Sequence, residues 1–323
     1  MAEKEKLYLS TSSPHLHKKT TVAGIMWTVA ICLLPAGAVG VYAHGIKALW
    51  VILISVATSV AAEYICQKLR GVKVTISDGS AVVTGLLFAY VISSETYWYV
   101  VLFGAFFSIA IAKHAFGGLG LNIWNPALAG RAFVLASFGL VLTGMWPNSD
   151  SIPTASGIKL PETKTGATPL QCIKATSAKS IDFALKNPQK NKERLGATPE
   201  ETWQKIKQYN TTNYFDLFVG TVSGCIGETS GFFLILGGII LLWKKIIKWY
   251  LPFTIIFTTA LFAWLLPVKA GYYNPDTGIA GVGWVWFAGD PLFHVLAGGC
   301  LLGAIFMATD MVTSPMTVKG QVI

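Results

Sequence analysis

Six ionisable side chains sit within or at the edges of otherwise apolar stretches: Glu63, Asp78, Arg131, Glu228, His294 and Asp310. Charges in such surroundings are costly, and they mark ion routes, ligand sites or paired networks by default. Asp78 and Glu228 each open an apolar segment, in Ser77-Asp78-Gly79-Ser80 and Gly227-Glu228-Thr229-Ser230. A carboxylate at such a place either caps the positive end of a helix or ligates a passing cation. Both roles stay open, and the two residues are the candidates for an ion route. Arg131 lies six residues beyond Asn125 and suits pairing with a carboxylate or a phosphate. His294 reads as a hydrogen-bonded packing residue, and Lys113-His114 as an interfacial pair at the end of a span. Gly117-Gly118-Leu119-Gly120 follows an apolar span, so it serves a tight turn or a close approach of backbone to a flat ligand. Walker loops, nucleophile elbows and HExxH motifs are absent from the sequence. The five cysteines are far apart, without a CxxC pair, and four of them fall in apolar segments. Most read as small buried hydrophobes; Cys225 and Cys300 have the further option of helping to ligate a cluster at a subunit interface.

The elements that must position these groups follow from composition. Of 323 residues, 53% are hydrophobic and 13% are charged, against about 25% charged in a soluble domain. Residues 1–20 hold six charges and residues 146–213 hold sixteen, while the other 235 share nineteen. Long apolar blocks remain, several near the ~20 residues that a helix needs to cross a bilayer. The composition excludes a soluble enzyme, a nucleic-acid binder and a disordered chain. The predicted fold is an all-α integral membrane bundle. Spans are expected at Thr21–Tyr42, Ala48–Cys66, Gly79–Ser93, Tyr97–Ala112, Pro126–Met145, Gly231–Trp243, Trp249–Leu266 and Pro291–Ala308, about eight in all. Tyr214–Ile226, interrupted by Gly220 and Gly224, reads as a half-span or re-entrant piece.

The organisation is then an amino-terminal segment (1–20), a first membrane half (21–145), a hydrophilic loop (146–213) and a second membrane half (214–323). The first apolar block lacks a signal-like cleavage pattern. Lys4, Lys6, Lys18, Lys19, Lys68, Arg70, Lys73, Lys113, Lys244, Lys245, Lys248 and Lys319 all fall on one side if the amino terminus is cytoplasmic. Residues 146–213 then lie outside, which the charge rule permits for a loop longer than about 60 residues. Each half begins with an acidic, glycine-bearing break. Each half also reaches a polar residue before proline, Asn125-Pro126 in the first and Ser314-Pro315 in the second. Paired breaks of this kind are the sequence pointer to inverted repeats with broken helices around a midplane site; ordinary loop ends are the plainer reading.

One string in the hydrophilic loop, Thr165-Gly166-Ala167-Thr168-Pro169-Leu170, is by itself only a turn by composition. It occurs in order with Ser12-Ser13-Pro14-His15, Ser77-Asp78-Gly79-Ser80, the run from Phe116 through Asn125-Pro126 and Arg131 to Phe133, and Met307-Ala308-Thr309-Asp310-Met311-Val312-Thr313-Ser314-Pro315. Together these motifs closely resemble the D subunit of the Rnf electron-transport complex, a homologue of the B subunit of the sodium-translocating NADH:quinone oxidoreductase. The resemblance covers essentially the whole chain. It implies a bacterial inner-membrane subunit of a redox-driven cation pump, a ferredoxin:NAD oxidoreductase that moves Na+ or H+, and not a self-sufficient enzyme. It implies FMN esterified through its phosphate to Thr168, with Gly166 and Ala167 leaving space for the flavin transferase. It also implies a second, non-covalent flavin, riboflavin, between spans, with Asn125, Arg131 and Asp310 as its expected surroundings. The implied partners are the other membrane and peripheral Rnf subunits, including an FMN-bearing subunit and iron–sulfur subunits, and the lipid bilayer, without nucleic acid. The alternatives are a quinone-reductase-type subunit of a Na+ pump and a non-redox solute transporter or channel. Family members continue past the Thr-Ser-Pro motif with further apolar spans, so either the chain is truncated at Ile323 or a tail continues beyond it, and the bundle is expected to be incomplete as given.

Overall fold

The computed structural model describes residues 21–143, 214–215, 218–219, 224–273, 280–287, 289–297, 299–310, 312–314, 317 and 320. Expectations that fall on residues 1–20 and on 144–213, including Gly166, Ala167 and Thr168, lie outside the described residues.

Two long apolar helices open the fold. Helix α1 spans Val22–His44 and α2 spans Ile46–Leu69, 23 and 24 residues; at 1.5 Å per residue each is about 35 Å long, enough to cross a bilayer. Thr21 caps α1 by accepting a hydrogen bond from the Gly24 amide at 3.2 Å. Gly45, at φ 74°, makes the sharp corner between the two helices. A short 3-10 turn, Ile76–Asp78, leads into α3, Ser80–Tyr90. With 11 residues, α3 is about 16 Å long, half a bilayer core, so the full span expected at Gly79–Ser93 is a half-length helix. Every residue of α3 except Val82 is buried, as befits a helix that is apolar all round. Backbone approach is close: a β-carbon on Gly85 would lie 2.8 Å from Cα of Val56 in α2, and Ser55 Oγ donates to the Gly85 carbonyl at 2.7 Å.

Helix α4, Trp98–Ile109, continues as a π-helical turn, Ala110–His114. Helix α5, Pro126–Thr143, kinks at Phe138. In the second half a 3-10 turn, Ile226–Glu228, precedes α6, Gly231–Trp243, and α7 follows at Tyr250–Leu265. The chain then forms an antiparallel pair, β1 Val268–Tyr273 with β2 Ala280–Val285, in the register Val268 opposite Val285. This pair departs from the all-helical expectation. The block expected as one span at Pro291–Ala308 is also divided. Helix α8, Pro291–Leu296, stops at Ala297, and α9, Cys300–Leu302, passes directly into a second π-helical turn, Gly303–Met307. Ala297 is extended at φ −83°, ψ 132°, which breaks the helix between the two pieces.

The core joins both halves. Helix α2 packs on α3 and α4, α4 on α5, and α1 on both α3 and α6. Leu33, Phe88, Val100, Ile226 and Leu302 are fully buried at its centre. Tyr90 ties α3 to α1 by donating to the Leu33 carbonyl at 3.0 Å.

Candidate functional site

The starts of α3 and α5 and the end of the second π turn converge on one cavity of about 370 Å³. Its apolar wall comes from Val22, Met26 and Val29 of α1, Val83 and Leu87 of α3, and Phe306. Its polar groups are Ser80, Thr84, Lys113, Asn122, Asn125, Thr309 and Asp310. A mostly apolar cleft with a few convergent polar groups, at this size, is the usual form of a small-molecule site.

Local structure explains how each polar group is held. Asn125 caps α5: its Oδ1 accepts from the amides of Ala127 at 3.0 Å and Leu128 at 3.4 Å, and Pro126 sits at the first helical position, where no donor is needed. Its Nδ2 donates to the Met307 carbonyl at 3.2 Å, so one side chain bridges the two halves. Asp310 closes the turn after the second π segment, accepting from the Val312 amide and the Thr313 hydroxyl, each at 3.3 Å. The residues expected around the flavin therefore separate. Asn125 and Asp310 both line the cavity, whereas Arg131 lies with Glu228 in the neighbourhood of Gly299. A β-carbon on Gly299 would lie 3.1 Å from Glu228 Oε1 and 3.9 Å from Arg131 Nη1. Arg131 is not among the residues that line the cavity.

Asp78 takes the capping role. Its Oδ1 accepts from both the amide and the hydroxyl of Ser80, each at 2.8 Å. Glu228 is held more loosely, with Oε2 3.4 Å from the Cys225 amide. Cys225 is buried, its Sγ 3.2 Å from the Val91 carbonyl, and among the described residues no group of His, Cys, Asp and Glu is arranged to hold a metal. His294 is the packing residue expected, with Nδ1 2.7 Å from the Asp290 carbonyl. The glycine run fits the close-approach reading: Gly117, Gly118 and Gly120 have φ of 127°, 105° and 94°, and Leu119 and Gly120 line the cavity.

The largest departure from expectation is Lys113. Placed at an interface by sequence, it is 1% exposed, as is Glu63. Its Nζ donates to Glu63 Oε2 and to Ser80 Oγ, both at 2.7 Å. Glu63 Oε1 accepts from Gln67 Nε2 at 2.9 Å and faces His114 Nε2 at 3.4 Å. Gln67 in turn fastens the loop before α3, accepting from the Thr75 amide at 2.9 Å. Ser80, Lys113, Glu63 and Gln67 thus form one continuous buried network beside the cavity, and the half-buried Asp78 joins it through Ser80.

The NQR2, RnfD, RnfE family model matches residues 9–323. The chain belongs to this family. Its relatives in the family include the D subunit of the proton-translocating ferredoxin:NAD(+) oxidoreductase complex of Clostridium ljungdahlii, 40% identical over 99% of the chain and 83% of that protein. The D subunit of the Na(+)-translocating ferredoxin:NAD(+) oxidoreductase complex of Acetobacterium woodii is 39% identical over 97% of the chain and 80% of its own length. The D subunit of an ion-translocating oxidoreductase complex from Citrobacter koseri is 31% identical over 97% and 85%. The NQR2, RnfD, RnfE family match thus agrees with the motifs that run from Ser12 to Pro315.

Proposed function

We propose that the chain is the flavin-bearing membrane subunit of an Rnf-type ferredoxin:NAD oxidoreductase that couples electron flow to Na+ or H+ translocation. The observation that carries this reading is near-full-length similarity to D subunits of such complexes at 39–40% identity. On this reading the chain is a multispanning protein of the bacterial inner membrane, with its amino terminus cytoplasmic and the loop 146–213 external. It works with the other membrane and peripheral subunits, among them an FMN-bearing and iron–sulfur subunits.

Two inverted repeats are part of the reading. In each half a 3-10 turn ends on a carboxylate, Asp78 or Glu228, just before a helix. In each half a π-helical turn later precedes a polar break, at Ala110–His114 and at Gly303–Met307. Such matched interruptions support a site between the halves.

Thr168 carries FMN as a phosphoester in this reading, flanked by Gly166 and Ala167. Riboflavin, held without a covalent bond, occupies the cavity of about 370 Å³. When bound, the isoalloxazine supplies one- and two-electron transfer. The chain's part is to hold the ring between apolar walls, to offer Asn125 and Asp310 to its polar edge and to keep water out. Of the two carboxylates at the breaks, Asp78 and Glu228, Glu228 carries the ion route and Asp78 serves it as a cap at the matching break; moving one charge against 100 mV requires about 2.3 kcal/mol from the redox drop.

The test is in-gel flavin fluorescence of the chain after denaturing electrophoresis, co-expressed with its flavin transferase, with Thr168→Ala alongside. A fluorescent band that the substitution abolishes is expected. A dark wild-type band, with the transferase active on a control substrate, overturns the Thr168 assignment and turns attention to a non-redox transporter. Reduction of an added quinone in place of NAD+ by the assembled complex would favour the quinone-reductase alternative.

A further inference from the structure

We infer that Lys113 is the cation that balances negative charge gained by a flat redox-active ligand in the cavity. Glu63 and Ser80 position it. The inference deepens the flavin reading above and rests on it.

Three observations carry it. First, Lys113 is a wall of the cavity and yet is 1% exposed, so its charge acts through a medium that screens it weakly. Second, an ammonium has three donors in rotatable positions. Two are engaged by Glu63 Oε2 and Ser80 Oγ, both at 2.7 Å, and the third is the one a ligand in the cavity can take. Third, the groups behind Lys113 are arranged to hold it. Glu63 Oε1 is fixed by Gln67 at 2.9 Å, and the Ser80 hydroxyl donates to Asp78 at 2.8 Å. Arg70 Nη1 donates to the His114 carbonyl at 3.3 Å, which anchors the π turn bearing Lys113 and His114.

The ion pair has a direction. Lys113 and Ser80, which its Nζ contacts, line the cavity, and Glu63 does not. A ligand that becomes more negative on reduction is therefore favoured in its reduced form. Asp310, which also lines the cavity, carries the opposite charge, but both of its oxygens already accept hydrogen bonds from its own turn, at 3.3 Å each. Charge near the reacting ring edge is a recognised means by which a protein tunes such a cofactor.

The experiment uses the assembled complex and compares wild type, Glu63→Gln and the paired variant Lys113→Met with Glu63→Gln. The paired variant removes both charges together and so leaves no buried carboxylate unpaired. Acid extraction and chromatography identify flavin without a phosphate released from each preparation, and spectroelectrochemistry follows every flavin couple, the unaffected couples serving as internal standards. Glu63→Gln, which leaves the cation unbalanced, is expected to raise the preference for the reduced form of one couple. The paired variant is expected to lower the same preference about tenfold, which is about 30 mV for a two-electron couple. Opposite shifts distinguish charge compensation from a structural role. If wild type releases no such flavin, the flavin reading of the cavity itself fails. If wild type releases it and the variants show no shift, shifts of one sign, or loss of flavin from an assembled paired variant, the role of Lys113 is overturned while the flavin reading stands.

Discussion

Lys113 and Glu63, fifty residues apart in sequence, meet at 2.7 Å with 2% and 1% of their side chains exposed. Both charges depend on each other there. Removing one partner of a buried pair typically destabilises by about 3–5 kcal/mol, while replacing both by neutral groups of similar volume is close to neutral. Lys113→Ala is therefore expected to lose that much, and Lys113→Met with Glu63→Gln to recover most of it. Thermal unfolding of the detergent-purified complex, followed by static light scattering, checks both values.

Asn125 is cap and bridge at once. Asn125→Ala is expected to lose about 1 kcal/mol from the α5 cap. It also releases the contact to the Met307 carbonyl, so the yield of extractable non-covalent flavin is expected to fall several-fold. Retention of the full flavin complement would place Asn125 in folding alone.

Gly120 and Gly45 separate strain from ligand contact. Both have positive φ, 94° and 74°, with open space where a β-carbon would go. Alanine at either should destabilise by about 1–2 kcal/mol through backbone conformation. Only Gly120 lines the cavity, so only Gly120→Ala is expected to lower flavin retention as well. Equal flavin content in the two variants would remove the glycine run from the site.

Glu228 and Asp78 are expected to differ. Asp78 Oδ1 receives two hydrogen bonds at 2.8 Å, and Asn can accept them equally well. Glu228 is held by one long contact of 3.4 Å, which leaves its charge available. In proteoliposomes, Glu228→Gln is expected to cut ion uptake at least tenfold per electron transferred, and Asp78→Asn less than twofold. The reverse order would move the ion route to the first break.

Sequence patterning locates α1, α2, α6 and α7 to within three residues, because each is a single apolar run between polar or glycine-bearing ends. The breaks at Asp78 and Glu228 are equally legible, since an acid beside glycine interrupts an apolar stretch visibly. The division at Ala297 is not, because Leu296-Ala297-Gly298-Gly299 carries no charge to mark it. Proximity in sequence does not bring Arg131 to the lining of the cavity. Six residues at about 100° each put it some 240° round the helix from Asn125, on another face. Lys113 is misplaced by a rule that assigns a lysine at the end of a span to the interface. Only the contact with Glu63, brought in by α2, shows why it lies inside.

The π-helical turn Ala110–His114 accommodates one residue more than the surrounding α-helix would. A bulge of this kind takes up its surplus residue locally and keeps the helix on either side in phase. Deleting a single alanine, Ala110 or Ala112, therefore lets the turn relax to α-helical winding without turning α4 against the residues that follow. A further alanine carried in α-helical winding instead turns the following residues by about 100°, and Lys113 then leaves Glu63 unless the hydrophobic face of α4 gives up its own place. The turn thus has slack for a residue lost and none for a residue gained.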